Sequence, residues 1–196
     1  TLITQPFYAS TDLLVAGLSE YSVEAGALRS NFGTRSNDYD ALVGSAVFRH
    51  GVTDSLTAEV RAEGMRDQAA AGVGANVLVG RLGVVSGTVA ASTGRDSGTG
   101  TLVAAGFSRQ AERLGITVRT LWAQRSFRLA GDRDDPAVPR RETLATVGYQ
   151  FGAAGSANVT WIGRRYHDQE GNDVLAFGYT LPVLGAATVS VNALRV

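Results

Sequence analysis

The feature that most constrains the fold is a two-residue alternation of apolar and polar side chains that recurs along most of the chain. In residues 56–63 one set of alternate positions holds Leu56, Ala58, Val60 and Ala62, and the other holds Thr57, Glu59, Arg61 and Glu63. Because successive side chains of a β-strand point to opposite faces, this strand would have one apolar and one charged face. Many such hairpins suit a β-barrel in an outer membrane, although a water-soluble β-sandwich shows the same alternation.

The alternation, together with turn residues such as Gly, Asp and Asn, predicts about eleven strands. They are residues 19–29, 39–49, 55–65, 73–79, 84–92, 101–108, 115–127, 142–151, 156–166, 173–181 and 187–195. Short connections alternate with longer ones, the longest being residues 128–141, as in barrels inserted from one side. The predicted fold class is an all-β, antiparallel, up-and-down transmembrane β-barrel.

Composition excludes several classes of function. Among the 196 residues, 18 acidic side chains balance 18 basic ones, all of them arginine, so there is no electrostatic case for a nucleic-acid partner. Cysteine is absent, which excludes disulfides, thiolate metal sites and cysteine nucleophiles. No apolar run approaches the roughly 18 residues of a membrane-spanning helix. Because the chain lacks an initiator methionine, a signal segment and a terminal aromatic residue, we expect an internal fragment.

The first half of the chain carries a family resemblance. Residues 5–14 (QPFYASTDLL) and 17–26 (GLSEYSVEAG) resemble the fimbrial outer-membrane ushers of the chaperone–usher pathway. Residues 48–57 (FRHGVTDSLT) and 77–86 (VLVGRLGVVS) continue the resemblance, whose specific part covers residues 1–92. Beyond residue 92 only the strand pattern and the hairpin spacing agree with the family.

The resemblance implies about half of a usher barrel of ~24 strands, beginning where the family's plug domain ends. Residues 1–18 would be a plug-exit segment leading into the barrel wall, and residues 19–196 would be barrel strands and loops. Gln5, Pro6, Tyr8 and Gly17 would link plug and wall. The implied function is an integral outer-membrane pore that assembles and exports pilus subunits, without a cofactor. Its implied partners are periplasmic chaperone–subunit complexes and outer-membrane lipid.

Charged residues on the polar side of the strands are the candidate lumen lining. They are Glu24, Glu59, Arg61, Glu63, Arg119 and Arg125. We expect them to face the lumen, because an unpaired charge on the lipid side at mid-bilayer costs about 2–4 kcal/mol. The plainer interpretation is that they solvate a polar sheet face or pair with one another. Candidates for the aromatic girdles at the membrane interfaces are Tyr21, Tyr39, Trp122, Tyr149, Trp161, Tyr166 and Tyr179.

Catalytic and metal chemistry have weak support. His50 and His167 fall in predicted turns, and neither has a serine and an acidic residue at a recognisable spacing, so we expect no catalytic site. Two acidic stretches, Asp132, Asp134 and Asp135, and then Asp168, Glu170 and Asp173, match no complete calcium loop. We interpret them as solvated loop carboxylates and expect neither an enzyme nor a metal site.

Two alternatives to an export pore remain at this point. The first is a generic outer-membrane porin or autotransporter barrel, which would lack the plug-exit segment. The second is a soluble β-sandwich that acts as a binding module. In a sandwich the apolar faces of two sheets would meet in a dry interior, whereas in a barrel they would point outward.

Overall fold

The computed structural model describes residues 13–29, 39–130, 139–183 and 187–196, which form one antiparallel sheet of eleven strands. The strands are β1 (Ser19–Arg29), β2 (Tyr39–Thr53), β3 (Leu56–Met65), β4 (Gln68–Val79), β5 (Gly83–Gly94), β6 (Gly98–Gln110), β7 (Leu114–Ala123), β8 (Arg141–Gln150), β9 (Ser156–Arg165), β10 (Asn172–Val183) and β11 (Ala187–Arg195). Each strand pairs with the next one in sequence, so the sheet is an up-and-down meander. The predicted fold class is confirmed.

The register between neighbouring strands aligns apolar residues with apolar residues and polar residues with polar ones, so the sheet has two distinct faces. One apolar row crosses six strands through Phe48, Val60, Val73, Val89, Val103 and Trp122. We call the face that carries this row the apolar face, and the opposite face, which carries Thr57, Glu59 and Arg61, the polar face. Because the side-chain period of a strand is two, a slip of one residue would exchange the two faces.

Burial is the reverse of that in a soluble protein. On the apolar face Val60, Val73 and Val89 are 51–55 % exposed, whereas Thr57 and Asn76 on the polar face are fully buried. Within the described ranges no second sheet covers the apolar face. The apolar sides of the hairpins therefore do not meet in a dry interior, which argues against the soluble sandwich.

Most strand bounds lie within three residues of the sequence prediction, and the larger differences are at β2, β4 and β7. Strand β2 ends at Thr53, four residues later than predicted. Strand β4 begins at Gln68, five residues earlier than predicted. Residues 68–72 (QAAAG) have low β-propensity, so the sequence does not predict a strand there, but they pair with both β3 and β5. Strand β7 ends at Ala123 and not at residue 127. Beyond Ala123 the chain leaves the sheet and folds onto the polar face, as described below.

The strand connections define two rims. The turn rim holds residues 54–55, 80–82, 111–113 and 151–155, the last of which contains a single 3₁₀ turn, Gly152–Ala154. The loop rim holds residues 124–130, 139–140 and 166–171, but also the tight turns 66–67 and 95–97. The predicted asymmetry between short turns and long loops is therefore only partial. In the described part of the chain no helix is long and apolar enough to span a membrane.

Candidate functional site

A ladder of alternating charges crosses β1, β2 and β3 on the polar face. Arg49 Nη1 lies 2.7 Å from Glu20 Oε2, and Arg49 Nε lies 3.4 Å from Glu59 Oε2. On β3, Arg61 Nη2 lies 3.5 Å from Glu63 Oε2. The register forces this arrangement, because Glu20 faces Arg49 and Arg49 faces Glu59 across neighbouring strands. Opposite charges in such positions attract, and the ladder leaves a wall of nearly balanced charge.

The structure places five of the six predicted lumen residues on this polar face. They are Glu24 on β1, Glu59, Arg61 and Glu63 on β3, and Arg119 on β7. Arg125 is the exception, because β7 ends two residues before it. Arg125 instead lies at the loop rim, where its Nη2 is 2.8 Å from Asp168 Oδ1.

Residues 13–18, which we call the leading turn, dock on the polar face at the turn rim. The backbone N–H of Leu14 donates to Thr57 Oγ1 at 2.8 Å, and that of Ala16 donates to Asp54 Oδ1 at 3.0 Å. The N–H of Gly17 donates to the carbonyl of Gly51 at 2.7 Å. Gly17 has a φ of +82°, a conformation that side chains with a Cβ rarely adopt. The other predicted link residues, Gln5, Pro6 and Tyr8, lie outside the described residues.

Residues 124–130, which we call the inward segment, cross the polar face near the loop rim. The contacts advance by one strand at a time. Gln124 N–H donates to Thr101 on β6 at 2.8 Å, and Arg128 N–H donates to Ser92 Oγ on β5 at 2.9 Å. Gln68 on β4 then donates to the Leu129 carbonyl, and Ala130 N–H donates to Glu63 Oε1 on β3 at 2.7 Å. The segment therefore runs across the strands and not along them.

Phe127 anchors the inward segment. Its side chain is fully buried in a small apolar patch on the otherwise polar face of β4 to β7. The patch consists of Ala70, Ala90, Leu102, Ala104, Leu121 and Ala123. At Gly100 an added Cβ would lie 2.2 Å from the Phe127 nitrogen, so the backbone of the segment approaches β6 closely there. Alanine and glycine leave the room that the phenyl ring and the crossing backbone occupy.

Sequence reasoning missed the inward segment, although a signal for it exists. Four neighbouring strands each carry an alanine at a position of the polar face, where the alternation predicts a polar side chain. These residues are Ala70, Ala90, Ala104 and Ala123. A small apolar patch inside a polar wall indicates that something apolar covers it. The covering residue is Phe127, and the three consecutive polar residues before it, 124–126 (QRS), interrupt the strand alternation.

A cavity of about 570 Å³ opens on the polar face beside the inward segment. Its walls include Glu24 and Gly26 of β1, Arg61 and Glu63 of β3, and Leu129 of the inward segment. Glu24, Arg61 and Glu63, which are three of the six predicted lumen residues, therefore line the same cavity.

The two histidines lie on different elements and have different partners. His50 lies in β2 and not in a turn, which corrects the sequence prediction, and its Nδ1 is 2.8 Å from Ser19 Oγ. This pair sits on the apolar face, whereas the neighbouring carboxylates Glu20 and Glu59 belong to the polar face. His167 lies in a loop, with its Nε2 3.0 Å from the Ala123 carbonyl.

Metal ligation has no support among the described residues, where no cluster of three or more His, Cys, Asp or Glu side chains could hold an ion. Asp168 pairs with Arg125, and Asp173 pairs with Arg165 at 2.7 Å. The stretch with Asp132, Asp134 and Asp135 lies outside the described residues.

Several girdle candidates lie on the apolar face close to a rim. Trp122 is one residue from the end of β7 at the loop rim. Tyr149 and Tyr179 lie towards the turn rim, where the Tyr179 hydroxyl donates to the Ala154 carbonyl. Trp161 is near the middle of β9, but its ring extends over Gly163 towards the loop rim.

Comparison with known proteins identifies the architecture. No protein-family model matches the chain, and no curated protein matches it in sequence. Among solved structures, the chain is similar to the P pilus usher (PapC) translocation pore, with a TM-score of 0.72, 16 % identity and 93 % of this chain covered. It is also similar to a chain of the E. coli P pilus tip assembly intermediate PapC-PapD-PapK-PapG, with a TM-score of 0.74, 16 % identity and 94 % coverage.

The chain spans 40 % of the first of these structures and 25 % of the second. The similarity covers nearly all of this chain, so it applies to the fold of the whole eleven-strand meander. The exposed apolar face, the covered polar face and this similarity lead to one conclusion: the chain has the fold of part of a usher translocation pore.

Proposed function

We propose that this chain forms part of the wall of an outer-membrane usher pore that assembles and exports chaperone-delivered pilus subunits. The observation that carries the proposal is the reversed burial of the sheet, with an exposed apolar face and a polar face covered by two segments of the chain itself. An exposed apolar face of eleven strands fits a lipid environment, whereas in water it would be a severe aggregation hazard.

In this role the polar face lines the export route. Glu24, Glu59, Arg61, Glu63 and Arg119 would face a water-filled passage, and Arg125 would lie at its mouth. The ladder alternates both signs of charge, with Arg49 between Glu20 and Glu59 and with Arg61 beside Glu63, so a folded subunit of either charge would slide past without strong adhesion. The role requires no catalytic chemistry and no cofactor. Strand exchange between subunits would supply the driving force for their polymerisation.

The leading turn would transmit motion between a plug domain and the wall. Its hydrogen bonds to Thr57, Asp54 and Gly51 tie it to the β2–β3 hairpin. Gln5, Pro6 and Tyr8 would continue this link towards the plug, with Gly17 as the point where the chain bends onto the wall. In this proposal residues 1–18 are a plug-exit segment and residues 19–196 belong to the barrel, which the docking of the leading turn supports.

The inward segment would narrow the passage at the loop rim. It crosses four strands on the polar face and is held by a buried phenyl ring, so it occupies space that an exported subunit would need. An exported subunit would then either displace this segment or move through the space that the segment leaves open.

The proposal is tested with the full-length protein in its native host. Deletion of its gene should abolish surface pili and leave subunits bound to their chaperone in the periplasm, as detected by electron microscopy and by co-purification with the chaperone. The protein should fractionate with the outer membrane and show heat-modifiable gel mobility. A deletion strain that still displays pili but loses uptake of small solutes would support the passive-channel alternative instead.

A further inference from the structure

The apolar face carries charged side chains where strands β8 and β9 reach the loop rim. At the loop rim, the last row across β7, β8 and β9 consists of Trp122, Arg141 and Arg165, each directly opposite the next. The next row on the same face holds Thr120, Thr143 and Gly163, and the row after it holds Val118, Ala145 and Trp161. Charge on this part of the apolar face thus appears only where the strands end, at the level where a bilayer passes from acyl chains to headgroups.

The two arginines form an unusual pair. Arg141 and Arg165 stand directly opposite each other across β8 and β9, and like charges at such positions repel. Arg165 Nη2 lies 2.7 Å from Asp173 Oδ2, which neutralises one of the two charges. Arg141 is exposed, and Arg140, also exposed, precedes it. The nearest other carboxylate on β8, Glu142, belongs to the polar face, where it pairs with Arg164 at 2.5 Å. Counting the described side chains, Arg140, Arg141 and Arg165 outnumber Asp173, so the cluster keeps a net positive charge.

Two tryptophans flank this pair. Trp122 lies directly opposite Arg141, and the Trp161 ring reaches over Gly163, which pairs with Asp173 on β10. Tryptophan is enriched at the headgroup level of membranes, because its ring is apolar and its N–H needs a polar partner. The same patch therefore combines an interfacial anchor with excess positive charge.

We propose that Arg141, Arg165 and Trp122 form a binding site for the phosphate group of an anionic membrane lipid. The exposed Arg141 guanidinium offers paired N–H donors that match two phosphate oxygens. Arg165 lies directly opposite and adds positive charge, although its Nη1 donates to the carbonyls of Arg164 and Asn172 and its Nη2 pairs with Asp173. The site faces the same side as the apolar row and lies at its end, so the phosphate comes from a lipid headgroup and not from solution. The inference rests on the proposed function, because it requires the apolar face to lie in a bilayer.

The experiment uses the full-length protein reconstituted into nanodiscs that contain equal amounts of phosphatidylglycerol and phosphatidylcholine. Lipids retained after mild detergent extraction are counted by native mass spectrometry. We expect the wild type to retain phosphatidylglycerol in preference to phosphatidylcholine. Arg141→Gln/Arg165→Gln should lower this preference about five-fold, since the exposed fork of Arg141 and the positive charge of Arg165 are lost. Arg141→Lys/Arg165→Lys, which keeps the charge without the fork, should fall in between.

Two further variants sharpen the test. Asp173→Asn removes the neutralising carboxylate and should raise phosphatidylglycerol retention, which a general loss of folding would not do. Arg109→Gln/Arg113→Gln removes two arginines at the turn rim and should leave lipid retention at the loop-rim site unchanged. Heat-modifiable mobility of every variant checks that the barrel is folded.

Each of four results would overturn the site. The first is equal phosphatidylglycerol retention by wild type and Arg141→Gln/Arg165→Gln in properly inserted protein. The second is displacement of the lipid by millimolar inorganic phosphate, which would mean a site for soluble anions. The third is failure of the wild type to insert into nanodiscs, which would overturn the pore proposal as well. Insertion without lipid preference refutes the lipid site and leaves the pore proposal standing.

Discussion

Glu63 Oε1 accepts a hydrogen bond of 2.7 Å from the backbone N–H of Ala130, although the two residues are 67 positions apart. The other carboxylate oxygen of Glu63 lies 3.5 Å from Arg61. One carboxylate thus joins the charge ladder of the wall to the end of the inward segment. Besides its hydrogen bonds to β4, β5 and β6, the segment is therefore held by the Phe127 ring over β4 to β7 and by the Glu63 carboxylate on β3.

Removal of the phenyl anchor should release the inward segment without unfolding the sheet. Phe127→Ala loses a fully buried ring, at a cost of about 3 kcal/mol, on the order of a hundredfold in the docking equilibrium. We expect increased sensitivity of cells to large antibiotics, together with longer or more frequent channel openings in planar bilayers. The control is Phe151→Ala at the turn rim, where the ring is 49 % exposed. Equal permeability of the two variants would show that the inward segment does not restrict the passage.

The Glu63 carboxylate should matter through its charge as well as its hydrogen bond. Glu63→Gln keeps an acceptor for the Ala130 N–H but removes the negative charge beside Arg61. Glu63→Ala removes both. We expect only a small rise in conductance for Glu63→Gln, with a shift towards anion selectivity, because Arg61 then lacks its neighbouring negative charge.

Glu63→Ala should show the same shift in selectivity together with the increased permeability of Phe127→Ala. Reversal potentials in asymmetric salt measure the selectivity, and single-channel conductance measures the passage. If Glu63→Gln and Glu63→Ala behave identically in both measurements, the hydrogen bond to Ala130 does not hold the segment.

The leading turn should be sensitive to a β-branched residue at Gly17. With φ at +82°, Gly17→Val imposes backbone strain of order 1–3 kcal/mol and should loosen the bonds of the leading turn to β2 and β3. We expect greater antibiotic leakage in cells that carry the full-length variant. Gly80→Val is the matched control, since Gly80 also has a positive φ but lies in the β4–β5 turn. Unchanged leakage for Gly17→Val would argue against a link between plug and wall at this residue.

The two faces should tolerate charge differently. Val89 is at the middle of β5 on the apolar face and is 54 % exposed, so Val89→Arg should destabilise the inserted barrel by about 2–4 kcal/mol. Thr117→Arg, on the polar face of β7, should cost much less because water would reach the added side chain. The measurement is unfolding in denaturant within lipid vesicles. Equal destabilisation by both variants would contradict the assignment of the apolar face to lipid.

Much of the fold could be predicted from the sequence because the alternation of side chains is a local property. Strand β3, for example, shows its two faces in eight consecutive residues, and its bounds differ from the prediction by one residue. Strand β4 was harder, since Ala69, Ala70 and Ala71 carry no alternation, and only pairing with two neighbours makes this stretch a strand.

The sequence alone determined that charged residues such as Glu59 and Arg61 share one face, because a strand has a period of two. Tertiary structure decided which partner each charge meets, that Arg125 leaves the wall, and that Phe127 fills an alanine patch made by four strands. It also decided that Arg141 and Arg165 stand side by side, although they are separated by a whole hairpin. These relationships depend on the register between strands and on the path of a crossing segment, and both are set by contacts between residues far apart in the chain.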